Sequence, residues 1–270
     1  MDPASFEALE REAWDAKAAF YDAWVGRITA GAAGPLLDAV GAAAGTFLLD
    51  VACGTGQVAA AAARRGAHAL GVDFAPTMIA EAERTFPDVA FRLADAGALP
   101  FTDADFDAVV SAFGVLHFAD PEAAFAEASR VLRPGGRFGF TVWAPPERND
   151  FFRLVLAAIS AHGRLDVDLP PAPPLFRFAD PHECRRALEA ASFADVSTRE
   201  IPLDFHPPSA PAVVEMIERS TVRMALILER QSPDAAERIR QAIAGGAESF
   251  LGPEGYRLAM PAMLTAATRP

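Results

Sequence analysis

Three observations predict an α/β fold, a mostly parallel sheet with helices on both faces. Short apolar runs alternate with helical patterns between residues 46 and 143. A glycine-rich turn, Gly54-Thr55-Gly56, follows the first run directly and opens into an alanine-rich helix. Proline or an N-cap residue starts several helices, as at Pro76, Asp120-Pro121 and Asp180-Pro181.

In order, Phe6, Leu9, Ala13, Phe20, Trp24 and Ile28 step at helical spacing and predict one or two amphipathic helices. Gly31 to Pro35 is expected to interrupt them before a short helix to Val40. Strand 46–51, helix 57–65 stopped by Gly66, and strand 68–72 follow. A helix from Pro76 ends before Pro87, and strand 89–93, a polar loop and strand 107–112 come next. The helix from Pro121 runs to Leu132, and Arg133-Pro134-Gly135-Gly136 turns the chain into strand 137–143. Beyond Trp143 the texture changes. Residues 145–181 are rich in proline and phenylalanine, with a helix over 150–161. A helix from Pro181 to Ala190, a strand over 195–205, helices over 211–231 and 233–250, and a last strand within 256–268 complete the order. In the 211–231 helix Val213, Ile217, Met224 and Leu228 share one face, and Glu215 and Arg219 stand four apart on another.

The 270 residues suit one domain, with N-terminal helices over 1–45, a ligand-binding core over 46–143, and a cap with the last strands over 144–270. A hydrophobic content of 51% is ample for a packed interior. The net charge is −12 and Lys17 is the one lysine, so a phosphate backbone or an anionic membrane surface is repelled and neither is an expected partner. Cys53 and Cys184 make no disulfide framework, and no His/Cys/Asp cluster has metal-ligand spacing, so no metal is expected. Met1-Asp2-Pro3 does not begin a signal peptide and no 18-residue apolar span occurs, which points to the cytoplasm. The sequence leaves the oligomeric state open.

Chemistry concentrates between Asp50 and Gln57. Glycine there lets a ligand pack against backbone, and the following helix presents free N–H groups. Gly54 to Ala59 fits the dinucleotide pattern G-x-G-x-x-A, with Asp73 near the place of a ribose-binding acid. Asp50, four residues before Gly54, argues for another ligand: a carboxylate there repels a pyrophosphate and attracts an ammonium.

Asp50-x-Ala52-x-Gly54-x-Gly56 resembles the first motif of the class I S-adenosylmethionine-dependent methyltransferases, acid-x-Gly-x-Gly-x-Gly. Ala52 replaces the first glycine, at little cost if that position need only be small. Gly71 to Met78, Ala94-Asp95-Ala96 with Leu99-Pro100-Phe101, Phe106 to Ser111, and Leu132 to Gly136 resemble the family's later motifs in order. The nearest likeness is to small-molecule enzymes related to the quinone-biosynthesis C-methyltransferases.

That resemblance implies a Rossmann-like, seven-stranded sheet with an antiparallel last strand, S-adenosyl-L-methionine as donor, and a small-molecule methyl acceptor. It implies that Asp73 takes the ribose hydroxyls, that Phe74 and Met78 wall the adenine, and that Asp95 and the Ala96 N–H bond its polar edge. Tyr21 is expected near the methionine moiety, and Asp50, Ala52, Cys53, Gly54, Gly56, Gln57 and Ser111 complete the expected cofactor contacts. His117, after the fourth strand, is the candidate general base, beside the plainer reading of a histidine that supports its loop through a backbone hydrogen bond. Asp107 is assigned no ligand. The phenylalanine-rich segments 151–152, 176–178 and 205 hint at an apolar or aromatic acceptor, and segments 145–181 and 211–250 are expected to form its side of the site. Two alternatives stand beside this reading: an NAD(P)-dependent oxidoreductase, and a non-catalytic protein that binds S-adenosylmethionine.

Overall fold

The computed structural model describes residues 3–270; Met1 and Asp2, on which the expectation of no signal peptide falls, lie outside the described residues. Three helices come first, α1 (Pro3–Tyr21), α2 (Val25–Thr29) and α3 (Ala33–Ala39). Strand β1 (Phe47–Val51), α4 (Gln57–Arg64), β2 (His68–Asp73), α5 (Pro76–Thr85), β3 (Ala90–Leu93) and β4 (Phe106–Ala112) alternate after them. Then come α6 (Pro121–Val131), β5 (Leu132–Trp143), α7 (Asp150–His162), α8 (Pro181–Ala190) and β6 (Ala194–Ile201). Helices α9 (Pro211–Ser220), α10 (Arg223–Glu229) and α11 (Pro233–Ala247) precede the last long strand, β7 (Ala262–Thr268).

The seven strands form one sheet in the order β3-β2-β1-β4-β5-β7-β6. β1 runs parallel to β2 and β4, with Leu49 opposite both Leu70 and Val109. β7 is antiparallel to β5 and β6, with Thr265 opposite Phe140 and Thr198. The β1 run is apolar on both faces because helices cover both. Leu48, Ala108 and Val110 enter one core with α3, α4, α7 and α9 to α11, while Leu49, Val51 and Val109 enter the other with α6 and α8. Since β2 and β4 leave β1 in opposite directions, a crevice opens at the carboxyl ends of these strands.

Helix starts follow the sequence signals. Asp120 Oδ1 accepts from the Ala123 N–H at 3.0 Å, Asp180 Oδ1 from the His182 N–H at 2.8 Å, and prolines at 121 and 181 need no donor partner there.

Several boundaries differ from expectation, each for a local reason. Gly31 to Pro35 does not interrupt the helical path: a 3₁₀ turn (Ala30–Ala32) runs into α3, and Pro35 sits in a first turn where its missing N–H costs nothing. The buried stripe of α1 is also rotated from the expected one. Phe6 is buried as expected, but Phe20 is 43% exposed, whereas Glu10 and Ala18 are buried. The 211–231 helix breaks at Thr221, whose backbone is extended; Ser220 Oγ and Thr221 Oγ1 donate back to the Met216 and Ile217 carbonyls at 2.9 and 2.8 Å. Its predicted face nevertheless survives across the break, with Val213, Ile217, Met224 and Leu228 all buried, and Arg219 meets Glu215 at 3.2 Å. Pro202 ends β6, and Asp204–Phe205 pairs instead with Leu258–Ala259. Pro261 likewise delays β7 to Ala262, and the Arg133 to Gly136 segment is a register irregularity within β5 rather than a turn before it.

Candidate functional site

The loop after β1 carries three residues with left-handed backbone, Ala52 (φ +56°), Gly54 (+52°) and Gly56 (+85°). Position 52 therefore requires more than small size: it requires a conformation in which an L-residue is strained, and alanine bears that strain. Its methyl has room because residue 114 is glycine; a Cβ there would lie 2.6 Å from the Ala52 Cβ and 2.6 Å from Ser111 Oγ. Gly56 is fixed by packing, since a Cβ would meet the Phe91 ring at 2.5 Å. At Gly54 a Cβ would meet nothing within 4 Å, so the bare backbone borders open space.

Two buried carboxylates organise this loop. Asp73, at the end of β2, accepts from the Gly54 N–H at 2.8 Å and from the Ala75 N–H at 3.0 Å. Burial raises its pKa above the ordinary carboxylate value, and those backbone donors pull against the rise. Asp50 is 1% exposed. Its Oδ2 accepts from the Ala59 N–H at 3.0 Å and its Oδ1 has no partner among the described residues. Burial pushes Asp50 up to about 8; the Ala59 bond pulls it down and nearby Asp73 pushes it up.

A cavity of about 260 Å³ lies in the crevice. One end is bordered by Ala52, Gly54, Asp73, Phe74 and Met78, and by Ala94 to Gly97 beyond β3. Asp95 Oδ1 there accepts from the Gly97 N–H at 2.8 Å. Tyr21 reaches the cavity from α1, and its hydroxyl lies 3.2 Å from Thr29 Oγ1. Burial pushes that phenol up to about 12, so it stays protonated. His117 borders the same space from the turn after β4, with Nδ1 2.7 Å from Glu10 Oε2 and its ring 4.9 Å edge-on from Trp14.

Of the predicted cofactor residues the structure brings Tyr21, Ala52, Gly54, Asp73, Phe74, Met78, Asp95 and Ala96 to one cavity, together with His117. It does not bring Asp50, Cys53, Gly56, Gln57 or Ser111 to its lining. Asp50 is turned onto the first turn of α4, Gly56 is stacked under Phe91, and Ser111 is buried with its hydroxyl unpartnered. Burial raises the Cys53 thiol well above its ordinary value, which keeps it protonated. His117 also differs from the plain reading, since its side-chain partner is the Glu10 carboxylate and not the backbone of its loop.

Sequence reasoning missed Glu10, Trp14 and Thr29. The signal for Glu10 was present, because it stands four residues after Phe6 on one helical face, and an acid inside an apolar stripe asks for a partner. Thr55 was missed as well: its hydroxyl donates to Asp22 Oδ1 at 2.7 Å and ties the glycine loop to the end of α1.

The other end of the cavity is built from the second half of the chain. Trp143, Phe151, Phe152, Leu175, Met216, Ser220 to Met224 and Met260 line it. Trp143 stacks on Phe113 at 4.2 Å. Phe176, Phe178 and Phe205, expected on this wall, lie elsewhere. Phe176 packs behind Phe152 at 5.1 Å, Phe178 against Phe125 at 5.2 Å, and Phe205 against Trp24 at 6.4 Å. None of α11 reaches the lining.

A family described as a methyltransferase domain matches residues 49–140. A demethylmenaquinone methyltransferase of Beutenbergia cavernae is 44% identical over 116 residues, 41% of this chain and 48% of that protein. The chain thus spans about half the length of the curated relatives of this kind. Nocamycin O-methyltransferase of Saccharothrix syringae is 33% identical over 258 residues, 87% of this chain and 91% of that protein. Among solved structures, the YcgJ protein of Bacillus subtilis aligns with a TM-score of 0.58 at 20% identity, over 88% of this chain and 98% of that one. The [4+2]-cyclase SpnF aligns with a TM-score of 0.55 at 22% identity, over 88% of this chain and 80% of that one. At these identities the structural likeness speaks for the fold alone.

Proposed function

Because this chain belongs to the class I S-adenosylmethionine-dependent methyltransferases, we propose that it transfers a methyl group from S-adenosyl-L-methionine to an apolar small molecule. The observation that carries this reading is one continuous cavity, with carboxylates and a bare glycine backbone at one end and apolar side chains at the other.

The donor set fits the group. Asp73 keeps lone pairs beyond its two backbone bonds and would accept the ribose hydroxyls. Asp95 would accept from the adenine amine and the Ala96 N–H would donate to the ring, with Phe74 and Met78 as the apolar wall. The open space over Gly54 would admit the amino-acid portion, beneath Tyr21. Asp50 lies behind the loop: burial pushes its carboxyl up to about 8, and a cationic group bound nearby would favour its ionised form. The bound donor supplies a methyl group on a cationic sulfur, already activated toward nucleophiles, so alignment carries most of the rate.

The second half of the cavity, from residues of the 144–270 segment, would hold the acceptor against Phe151, Phe152 and Met216. His117 would take the acceptor's proton on Nε2, while the buried Glu10 fixes the ring through Nδ1. The relatives' names point to a quinone precursor in one case and to O-methylation in the other, which supports an acceptor with an aromatic or oxygen-bearing skeleton. A net charge of −12 supports a small molecule over nucleic acid, and the free thiols at Cys53 and Cys184 support a reducing compartment, the cytoplasm. Among the described residues no helix is long and apolar enough to cross a membrane.

The same fold carries the SpnF cyclase, so turnover has to be measured as well as binding. Labelled S-adenosylmethionine should pass its methyl group to a member of a panel of quinols, phenols and carboxylates. His117→Ala should lower that rate by about a hundredfold with donor affinity unchanged. A rate near that of the wild type would remove the base from the mechanism. No saturable binding of S-adenosylhomocysteine, with no methyl transfer to any member of the panel, would overturn the reading.

A further inference from the structure

Beyond Trp143 the lining of the cavity contains one charged side chain, Arg223. The carboxylates at the cavity, Glu7, Asp73, Asp95 and Asp120, all come from the first half of the chain. Arg223 follows the break between α9 and α10 and is flanked on the lining by Thr221, Val222 and Met224. Several arginines of this acidic protein pair with acids, as Arg148 does with Glu200, Arg177 with Glu122 and Arg257 with Asp204. For Arg223 the structure gives one contact, Nη1 to the Pro170 carbonyl at 3.4 Å, which is long for a hydrogen bond. A guanidinium has five donors, so half-buried Arg223 keeps most of them free for a ligand in the cavity.

The nearby hydroxyls, Ser220 Oγ and Thr221 Oγ1, donate to the Met216 and Ile217 carbonyls, and the contact of Arg223 is to Pro170 instead. Arg223 is not needed to hold the segment it touches. Arg230 Nη1 donates to the Asp168 carbonyl at 2.8 Å, and Gln231 Nε2 to the Arg164 carbonyl at 2.8 Å, fastening that segment to the end of α10.

We propose that Arg223 is the anion-recognising residue of the acceptor end, so that the acceptor is an apolar molecule bearing a carboxylate or a comparable singly charged oxygen group. The inference rests on the methyl-transfer reading for the word acceptor, but the anion site itself does not depend on it. A planar guanidinium presents paired donors that match a carboxylate, and the surrounding side chains would desolvate that pair and strengthen it. The reacting atom then lies on the part of the skeleton turned toward His117, away from the anchored charge. Arg223 would thus set which molecules enter and which way round they lie.

The test compares 2-naphthoate with the uncharged 2-naphthamide, titrated calorimetrically into the full chain with and without S-adenosylhomocysteine. The expected result is a preference for the acid of about tenfold or more, lost in Arg223→Gln and partly retained in Arg223→Lys. Because the acid-to-amide ratio is read within each variant, a general loosening of the fold does not imitate the result. Equal affinity of the wild type for both probes, no binding of either, or a preference undiminished in Arg223→Gln would overturn the proposal. Failure to bind S-adenosylhomocysteine would count against the methyl-transfer reading alone, since the probe ratio is measured without it too.

Discussion

The two ends of the cavity are built by different means. At the glycine-loop end the shape is set by backbone, with left-handed residues at 52, 54 and 56, N–H groups held by Asp73 and a helix start held by Asp50, and the Asp73 and Asp95 side chains border the cavity there. At the other end it is set by side chains projected from α7, α9, α10 and the approach to β7. A loop held by left-handed backbone and close packing has little room for added atoms, whereas a wall of largely apolar side chains can be resculpted while its helices stay in place. The first arrangement suits a ligand that does not vary, the second one that does.

Adding a single carbon at the loop end should have the largest effect on stability. Gly114→Ala would set a Cβ 2.6 Å from both the Ala52 Cβ and Ser111 Oγ. The expected loss is about 1–3 kcal/mol, seen as a lower urea midpoint. An unchanged midpoint would mean that this loop yields as readily as the apolar end, and the contrast would fail.

Charge at the loop end gives the next effect. The Asp50 pKa is near 8 when folded against the ordinary 3.8, so between these values the native state holds the extra proton. Stability should therefore fall as pH rises from about 4 toward 8 and level off above, with Asp73, also raised, adding in the same sense. Asp50→Asn should flatten part of this slope and gain about 1–2 kcal/mol at pH 9, with little gain at pH 5. Thermal melts across that range check it; a mutant less stable at pH 9 would show that the ionised carboxylate is better compensated than its single bond to Ala59 implies.

The smallest effect is the most pointed. Ala52→Gly relieves a left-handed alanine, which is worth about 1–2 kcal/mol, but frees the unfolded chain, which gives back about 0.4–1. A net gain of roughly 0.5–1 kcal/mol is expected, or a few degrees in Tm. A loss instead would show that the Ala52 methyl contributes packing that outweighs its strain.

The same contrast explains what could be read from the sequence. Strand order, the loop and Asp73 were legible because glycines, an acid at a strand end and proline at helix starts report backbone requirements directly. Ala52 was misjudged because a residue type does not display its φ. Asp50 was placed on the ligand when it faces α4, since strand position tells where a side chain starts and not which N–H it meets. The Glu10 to His117 pair spans more than a hundred residues and carries no local pattern. At the apolar end Phe151 and Phe152 were found, but Phe176, Phe178 and Phe205 were not distinguishable from ordinary core by type alone.

The division of labour between the two ends has a direct test, S-adenosylhomocysteine titrated into the wild type, Asp73→Ala and Phe152→Ala at a temperature where all three are folded. Asp73→Ala should weaken binding by about tenfold or more, as the loss of a buried charge-assisted acceptor requires, while Phe152→Ala should stay within about threefold of the wild type. Unchanged affinity in Asp73→Ala, or an equal loss in both variants, would contradict the assignment of the two ends.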